Sequence, residues 1–265
     1  EVPLLDVQPV VQTIVDSLTP ASVVGTWDEV IGSSTTRWSR SAGCVTAADF
    51  VFARFQALGL GPVRQNHTTG HAPNVIGSIT GLTHPERVVI VIGHLDDLPS
   101  SGLAPGADDN ASGAATVVAA AQAMAGYTFE NTVKFLAVTG EEQGLYGSTY
   151  YAAQALAAGE QILAVLNADM TGWQGDGLPA TGENLDVNTN AASAWLGTLM
   201  QQAATAYGTG CVVNSFSCPG MTYGARAPFW SRGWAAICGI AAHEGPCGQV
   251  GNCPHYHQST DTRAS

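Results

Sequence analysis

The sequence predicts an α/β fold, a three-layer α/β/α sandwich built on a mixed, mostly parallel central sheet. Two observations carry this. Short β-branched apolar runs alternate with longer stretches whose apolar residues have helical spacing. Hydrophobic residues also make up 45% of the 265-residue chain against 11% charged, enough apolar matter to cover a sheet on both faces. No linker and no internal repeat divides the chain, so residues 1–265 read as a single domain.

Taken in order, helical spacing predicts helices over 10–18 and 47–58. Pro73-Asn74 opens a short strand over 74–79. Arg87-Val-Val-Ile-Val-Ile92 has the pattern of a buried strand and ends in Gly93-His94. A Gly/Pro/Ser loop over 98–106 leads into an Ala-rich helix over 112–125. A strand over 132–138 runs into Thr139-Gly140-Glu141-Glu142, and a helix follows over 145–158. A strand over 162–168 stops at Asp169, followed by a helix over 191–207 and a strand over 235–240. Open parallel sheets bind ligands beyond the carboxyl ends of their strands, and the polar clusters of this sequence fall there.

Nine Lys+Arg stand against 21 Asp+Glu, for a formal net charge of -12, and Lys134 is the only lysine. Such a surface repels phosphate, so neither nucleic acid nor an anionic membrane is expected as a partner. No apolar run reaches the roughly 18 residues of a membrane span. The chain opens at Glu1 without a basic-then-apolar leader, which reads as the mature form of an exported protein, and a secreted monomer is expected. Six cysteines (Cys44, Cys211, Cys218, Cys238, Cys247 and Cys253) fit disulfides in an oxidising compartment, with no Cys-x-x-Cys pair to suggest a thiolate zinc site. Cys247–Cys253 and Cys211–Cys218 are the local pairings, and buried thiols are the alternative.

Three strands in succession end in groups able to bind a metal: His94-Leu95-Asp96, Glu141-Glu142 and Asp169. Between the first two lies Gly106-Ala-Asp-Asp-Asn-Ala-Ser-Gly113 at a helix start, and Tyr256-His257-Gln-Ser-Thr-Asp-Thr262 comes late in the chain. Each fragment alone has an ordinary explanation as a turn, a helix cap or a first-turn acid. Together they stack carboxylates and imidazoles at one edge of the sheet, a repulsive arrangement that cations relieve. Imidazole with carboxylate suits zinc best among common metals, with manganese and cobalt as alternatives.

These motifs resemble the zinc-dependent M28 peptidases, especially the bacterial leucyl aminopeptidases of the Aeromonas and Streptomyces type. The resemblance runs from Pro73-Asn-Val-Ile-Gly77 to Asp261-Thr262 and is weaker in the N-terminal helices. Its most specific pieces are Gly93-His-Leu-Asp-Asp97, Ala104-Pro-Gly-Ala-Asp-Asp-Asn-Ala-Ser-Gly113, Glu141-Glu-Gln-Gly-Leu-Tyr-Gly-Ser148, Asp169-Met-Thr171 and His257-Gln-Ser-Thr-Asp-Thr262. It implies an aminopeptidase with two zinc ions, acting on peptides that have a free N-terminus and an apolar first residue. His94 and Asp169 would bind one zinc and Glu142 and His257 the other. Asp109, rather than the neighbouring Asp108, would bridge them, followed by a cis peptide to Asn110. Glu141 would be general base and then general acid, and Asp96 would accept the second ring N–H of His94. Tyr256 stands where the Streptomyces type carries a tyrosine that helps hold the oxyanion; packing beside the metal is the alternative.

The resemblance places the pocket for the first side chain near Met170, Phe216, Met221, Phe229 and Trp230. Glu141 and Asp169 would meet the free amine, with Arg226 or Arg232 ordering that end. Cys218 departs from the Aeromonas pattern, because Thr222 stands where a Cys-x-x-x-Cys partner would be. Rival readings on the same fold are a single-zinc glutaminyl cyclase, a carboxypeptidase and a non-catalytic binding module. The filled ligand set opposes the first and last, and the absence of a basic cluster opposes the second.

Overall fold

A computed structural model describes residues 5–173, 184–241 and 253–264. The N-terminal part supplies three helices, α1 (Pro9–Ser17), α2 (Pro20–Gly32) and α3 (Ala42–Ala57), and the short strand β1 (Val63–Gln65). The middle alternates as expected, with β2 (Asn74–Ile79), β3 (His84–His94), α4 (Gly113–Met124), β4 (Asn131–Val138), α5 (Tyr146–Ala157) and β5 (Gln161–Ala168). Then come β6 (Asn184–Thr189), α6 (Ala194–Ala206), β7 (Val212–Ser217), the single-turn α7 (Ala227–Trp230) and β8 (Ala236–Ala241). None of the described helices is long and apolar enough to cross a membrane.

The eight strands form one mixed sheet in the order β1-β2-β4-β3-β5-β8-β6-β7. Its centre, β4-β3-β5-β8, is parallel throughout, while β1, β2 and the β6–β8 pairing bring in antiparallel edges. Side chains alternate across it as strand geometry requires. Val88, Ile90 and Ile92 of β3 pack with α5 and α7 on one face. Val91 points into the core under α2, α3 and α4, and Val89 into the one under α6, on the other face. The sheet is therefore covered on both sides, and the three-layer expectation holds.

Helix α2 had no expected counterpart. Its start is fixed locally: the Thr19 hydroxyl accepts from the Ser22 amide, the Ser22 hydroxyl accepts from the Thr19 amide, and Pro20 sits at the first helical position. Gly25 and Gly32 dilute its apolar pattern. Strands β1, β6 and β7 were also not expected, because they are short and carry polar residues at the sheet's margins.

The parallel register puts His94 opposite Val138 and Ala168 opposite Gly239, so β3, β4 and β5 deliver their next residues to a common edge. Arg37, wholly buried between α2 and α3, braces that edge. Its guanidinium donates to the carbonyls of Leu95 (2.9 Å), Pro105 (2.7 Å) and Gly106 (2.8 Å) and lies 3.2 Å from the buried carboxylate of Asp97. Burial raises the Asp97 carboxyl to about 7, although Arg37 opposes the rise. Replacing one member of such a pair leaves the other charge stranded. Arg37→Met should therefore lower unfolding stability by about 3–5 kcal/mol near pH 8. The deficit should narrow as pH falls through about 7, where folded Asp97 takes up its proton. Urea denaturation at pH 8 and pH 5 checks both parts, and an equal deficit at both pH values would contradict the ion-pair account.

Candidate metal centre

His94, the last residue of β3, is buried and aims its Nε2 at two carboxylates, Asp109 Oδ1 and Asp169 Oδ1, each 3.3 Å away. The second oxygen of Asp109 faces the other imidazole, His257 Nε2, at 3.2 Å. His257 Nε2 is also 2.9 Å from Glu142 Oε2. Two adjoining groups result, His94–Asp109–Asp169 and Asp109–Glu142–His257, and in each the ligand atoms lie within 4.8 Å of one another. Asp109 belongs to both. All five residues expected as ligands are thus brought together.

The turn that presents Asp109 is held from every side. The carboxylate of Asp261 accepts from the amides of Asp108 and Asp109, both at 2.9 Å. Asn110 accepts with Oδ1 from Gly113 and Met170 and donates to the Ala168 carbonyl. The Asp109–Asn110 peptide is cis, as the resemblance implied. Asp108, the other candidate, is spent elsewhere: its Oδ1 accepts from the amides of Gly172 (2.9 Å) and Trp173 (3.1 Å). Gly113 cannot carry a side chain, since a Cβ would lie 2.3 Å from the Ala168 carbonyl oxygen and 2.4 Å from Asn110 Oδ1. Asp261 had no role in the sequence reading, although it lies in a motif singled out there.

The position of Asp96 corrects one expectation. Its main-chain carbonyl, not its carboxylate, is the near partner of His94 Nδ1, at 3.0 Å, while the carboxylate stands 3.9 Å away. The carboxylate accepts instead from the amides of Glu141 (3.2 Å) and Glu142 (3.3 Å). These two backbone donors hold the carboxylate toward the Glu141–Glu142 turn and away from the His94 ring. Asp96 therefore orders both the histidine and the Glu-Glu turn.

Burial raises the carboxyls of Glu141 and Glu142, reinforced at Glu142 chiefly by Asp109. For His94, burial favours the neutral ring, but Asp169, Glu141 and Asp109 outweigh it and push the value up. His257 is raised to about 10, its burial being overcome by Asp109 and Glu142. Without a cation these groups hold protons to relieve mutual repulsion. Glu142 Oε1 is buried with no hydrogen-bond partner. An orphaned carboxylate oxygen beside imidazoles and further carboxylates fits a divalent cation, and the nitrogen–oxygen donor set fits zinc.

The groups open into a cavity of about 590 Å³. Met170, Met221, Ile240 and Leu145 give it apolar walls, and Arg226 and Tyr256 also line it. Leu145, Met170 and His257 are the non-glycine residues with positive φ among those described (59°, 50° and 57°), and all three line this cavity. Such backbone costs about 1–3 kcal/mol per residue and gathers at functional sites. Of the other expected pocket residues, Phe229 is wholly buried in the core beneath α5 and α7, and Phe216 lies on β7, outside the lining. Trp230 lines a neighbouring cavity of about 500 Å³, which shares Leu145 and Thr222 with the first. Arg226 braces the cavity wall by donating to the carbonyls of Tyr223 and Met221, whereas Arg232 bonds Pro228 outside the lining. The Tyr256 ring stacks on His257 at 3.7 Å.

Cysteine pairing differs from the local expectation. Cys44, Cys238 and Cys253 are buried free thiols, so Cys253 does not close onto Cys247, which lies outside the described residues. The Cys211 thiol points to the Val212 carbonyl at 3.9 Å rather than bonding Cys218.

The three-layer α/β fold thus carries two adjoining carboxylate–imidazole groups, sharing Asp109, at one edge of its sheet. The model of peptidase family M28 matches residues 74–265, and the chain belongs to that family. A probable leucine aminopeptidase of Arthroderma otae is 32% identical over 152 residues, covering 54% of this chain and 40% of that protein. A probable zinc metalloprotease of Pyrenophora tritici-repentis is 39% identical over 104 residues, covering 37% of this chain and 22% of that protein. The chain thus spans well under half the length of these relatives. In fold it is similar to the LapA aminopeptidase of Legionella pneumophila, with TM-score 0.80 and 20% identity, covering 99% of this chain and 72% of that one. A glutaminyl cyclase from an Acidobacteriales bacterium also shares the fold, with TM-score 0.70 and 22% identity, covering 91% and 86%.

Proposed function

We propose that this chain is a zinc aminopeptidase that removes an apolar first residue from peptides. The observation that carries the reading is the sharing of Asp109 between two complete groups, His94–Asp109–Asp169 and Asp109–Glu142–His257, in one cavity. A glutaminyl cyclase shares the fold and is the alternative reading.

In this reading His94, Asp109 and Asp169 hold one zinc, and Asp109, Glu142 and His257 the other. The pair supplies Lewis acidity, lowering the pKa of an attacking water and polarising the scissile carbonyl. Glu141 lines the cavity but belongs to neither group. A carboxylate in that place would take the proton of the water and pass it to the leaving amine. Asp96 fixes the backbone from which Glu141 acts. Met170, Met221 and Ile240 receive an apolar first side chain, and Glu141 and Asp169 meet the free amine. Tyr256, which lines the cavity and stacks beside His257, would donate to developing negative charge on the substrate oxygen.

The test is hydrolysis of leucine-p-nitroanilide before and after chelation, with zinc restored and metal counted. Expected are hydrolysis lost on chelation and regained with zinc, near two zinc ions per chain, and no action on the N-acetylated substrate. Activity that survives the chelator, or none on any aminoacyl anilide, overturns the reading. One zinc per chain with cyclisation of N-terminal glutamine would put the cyclase in its place.

A further inference from the structure

The residues on the far side of the turn that carries Glu141 and Glu142 form a cluster with no part in the chemistry described above. Its ends are pinned by Asn74, which accepts from the Thr139 amide (3.1 Å) and donates to the Gly147 carbonyl (3.0 Å). Asp96 holds the amides of Glu141 and Glu142 from the sheet side. Gln143, the next residue, reaches the opposite way. Its Oε1 accepts a short hydrogen bond from the hydroxyl of Ser39, which is wholly buried. The Ser39 oxygen is in turn 2.8 Å from His71 Nδ1, so with the hydroxyl proton given to Gln143 it accepts from the ring N–H.

The His71 ring is itself wedged. It meets the edge of Tyr146 at 5.3 Å and 79°, and the ring of His67 lies 5.8 Å away. His67 Nε2 is 2.9 Å from the hydroxyl of Thr139, at the start of the turn. Gly140 lies close under both rings, its Cβ position 3.3 Å from His71 Nδ1 and 3.4 Å from His67 Cε1, and its left-handed φ of 72° favours glycine there. Ser39, His67 and His71 all precede residue 74, where the family match begins.

We propose that Ser39 and His71 are positioning residues that, through Gln143, set the place of Glu142 at its metal and of Glu141 at the substrate. The inference rests on the zinc-peptidase reading of the same site. The cluster grips only the turn with Glu141 and Glu142, whereas His94, Asp109 and Asp169 are fixed by β3, Asn110 and β5. Loosening the grip therefore acts on one zinc and not on the other. Outer partners of metal ligands commonly contribute about 10–100-fold to affinity or activity.

The test uses His71→Phe, which keeps a ring against Tyr146 but loses the donor, and His71→Asn, which restores a donor near the place of Nδ1. Ser39→Ala and Gln143→Met probe the same path should His71→Phe fail to fold. Stepwise zinc affinity is read by chelator competition, with Glu142→Ala marking the step that belongs to its site. Kinetics on leucine-p-nitroanilide and melting temperatures are read alongside. Expected is a weakening of the Glu142 step by about tenfold with the other step within about twofold. A fall in kcat of about tenfold at little-changed KM should accompany it. His71→Asn should recover most of both, and Ser39→Ala with His71→Phe should be no worse than either alone. Equal weakening of both zinc steps, losses that track melting temperature, or no recovery by asparagine overturns the proposal. A wild type that is idle on aminoacyl substrates but shows the selective zinc pattern would sink the peptidase reading and leave this one standing.

Discussion

Glu141→Gln should lower kcat on leucine-p-nitroanilide by about 10²–10⁴-fold while both zinc ions stay bound. The exchange keeps shape and volume but removes the carboxylate that, in the proposed reading, carries the proton. Glu141 lies outside both ligand groups, so metal binding has no reason to change. Its main chain keeps the hydrogen bond to Asp96, and the turn retains the bonds from Gly144 and Leu145 to the Glu141 carbonyl, each 2.9 Å. Steady-state kinetics with metal analysis on the same sample decides the matter. A loss below about tenfold would move the proton transfer to another group, and zinc lost along with activity would make Glu141 a ligand instead.

Asp109→Ala should cost more than any other single ligand change. It removes an oxygen from each group at once, where His257→Ala or Asp169→Ala removes a ligand from one. Zinc content should fall from near two per chain to well below one, with hydrolysis at the level of the blank. His257→Ala should keep the zinc of His94 and Asp169. Asp108→Ala is the informative control, because that carboxylate bonds the Gly172 and Trp173 amides rather than facing either imidazole. Should Asp108→Ala empty the site and Asp109→Ala leave it filled, the two neighbours would exchange roles.

The strands that deliver ligands were legible because each is an apolar run interrupted by a polar end, and burial on both faces leaves no other pattern for the central strands. The five clustered residues themselves were legible through motif and spacing. Their supports were not. Asp261 holds an amide 152 residues earlier in the chain, Arg37 gathers three carbonyls from segments around residues 95 and 105, and Ser39 reaches Gln143 from 104 residues away. No local periodicity encodes such pairings. Asp96 shows the same limit at close range: its neighbourhood was right, yet which of its oxygens served His94 depended on where the Glu141–Glu142 amides lay. Phe229 and Trp230 were expected beside the substrate from the resemblance alone, and packing against Tyr151 of α5 claimed the first while a separate hollow took the second.

The cradle that Asp261 builds under Asp109, and the ligand His257 a few residues before it, tie the reactive edge to the last stretch of described chain. During translation the ends of β3, β4 and β5 leave the ribosome before residues 257–261 do. A partly made chain therefore has Glu142 without its imidazole partner and Asp109 without its amide clasp. In the proposed reading, hydrolytic competence therefore waits until residue 261 has been made and has docked against Asp109.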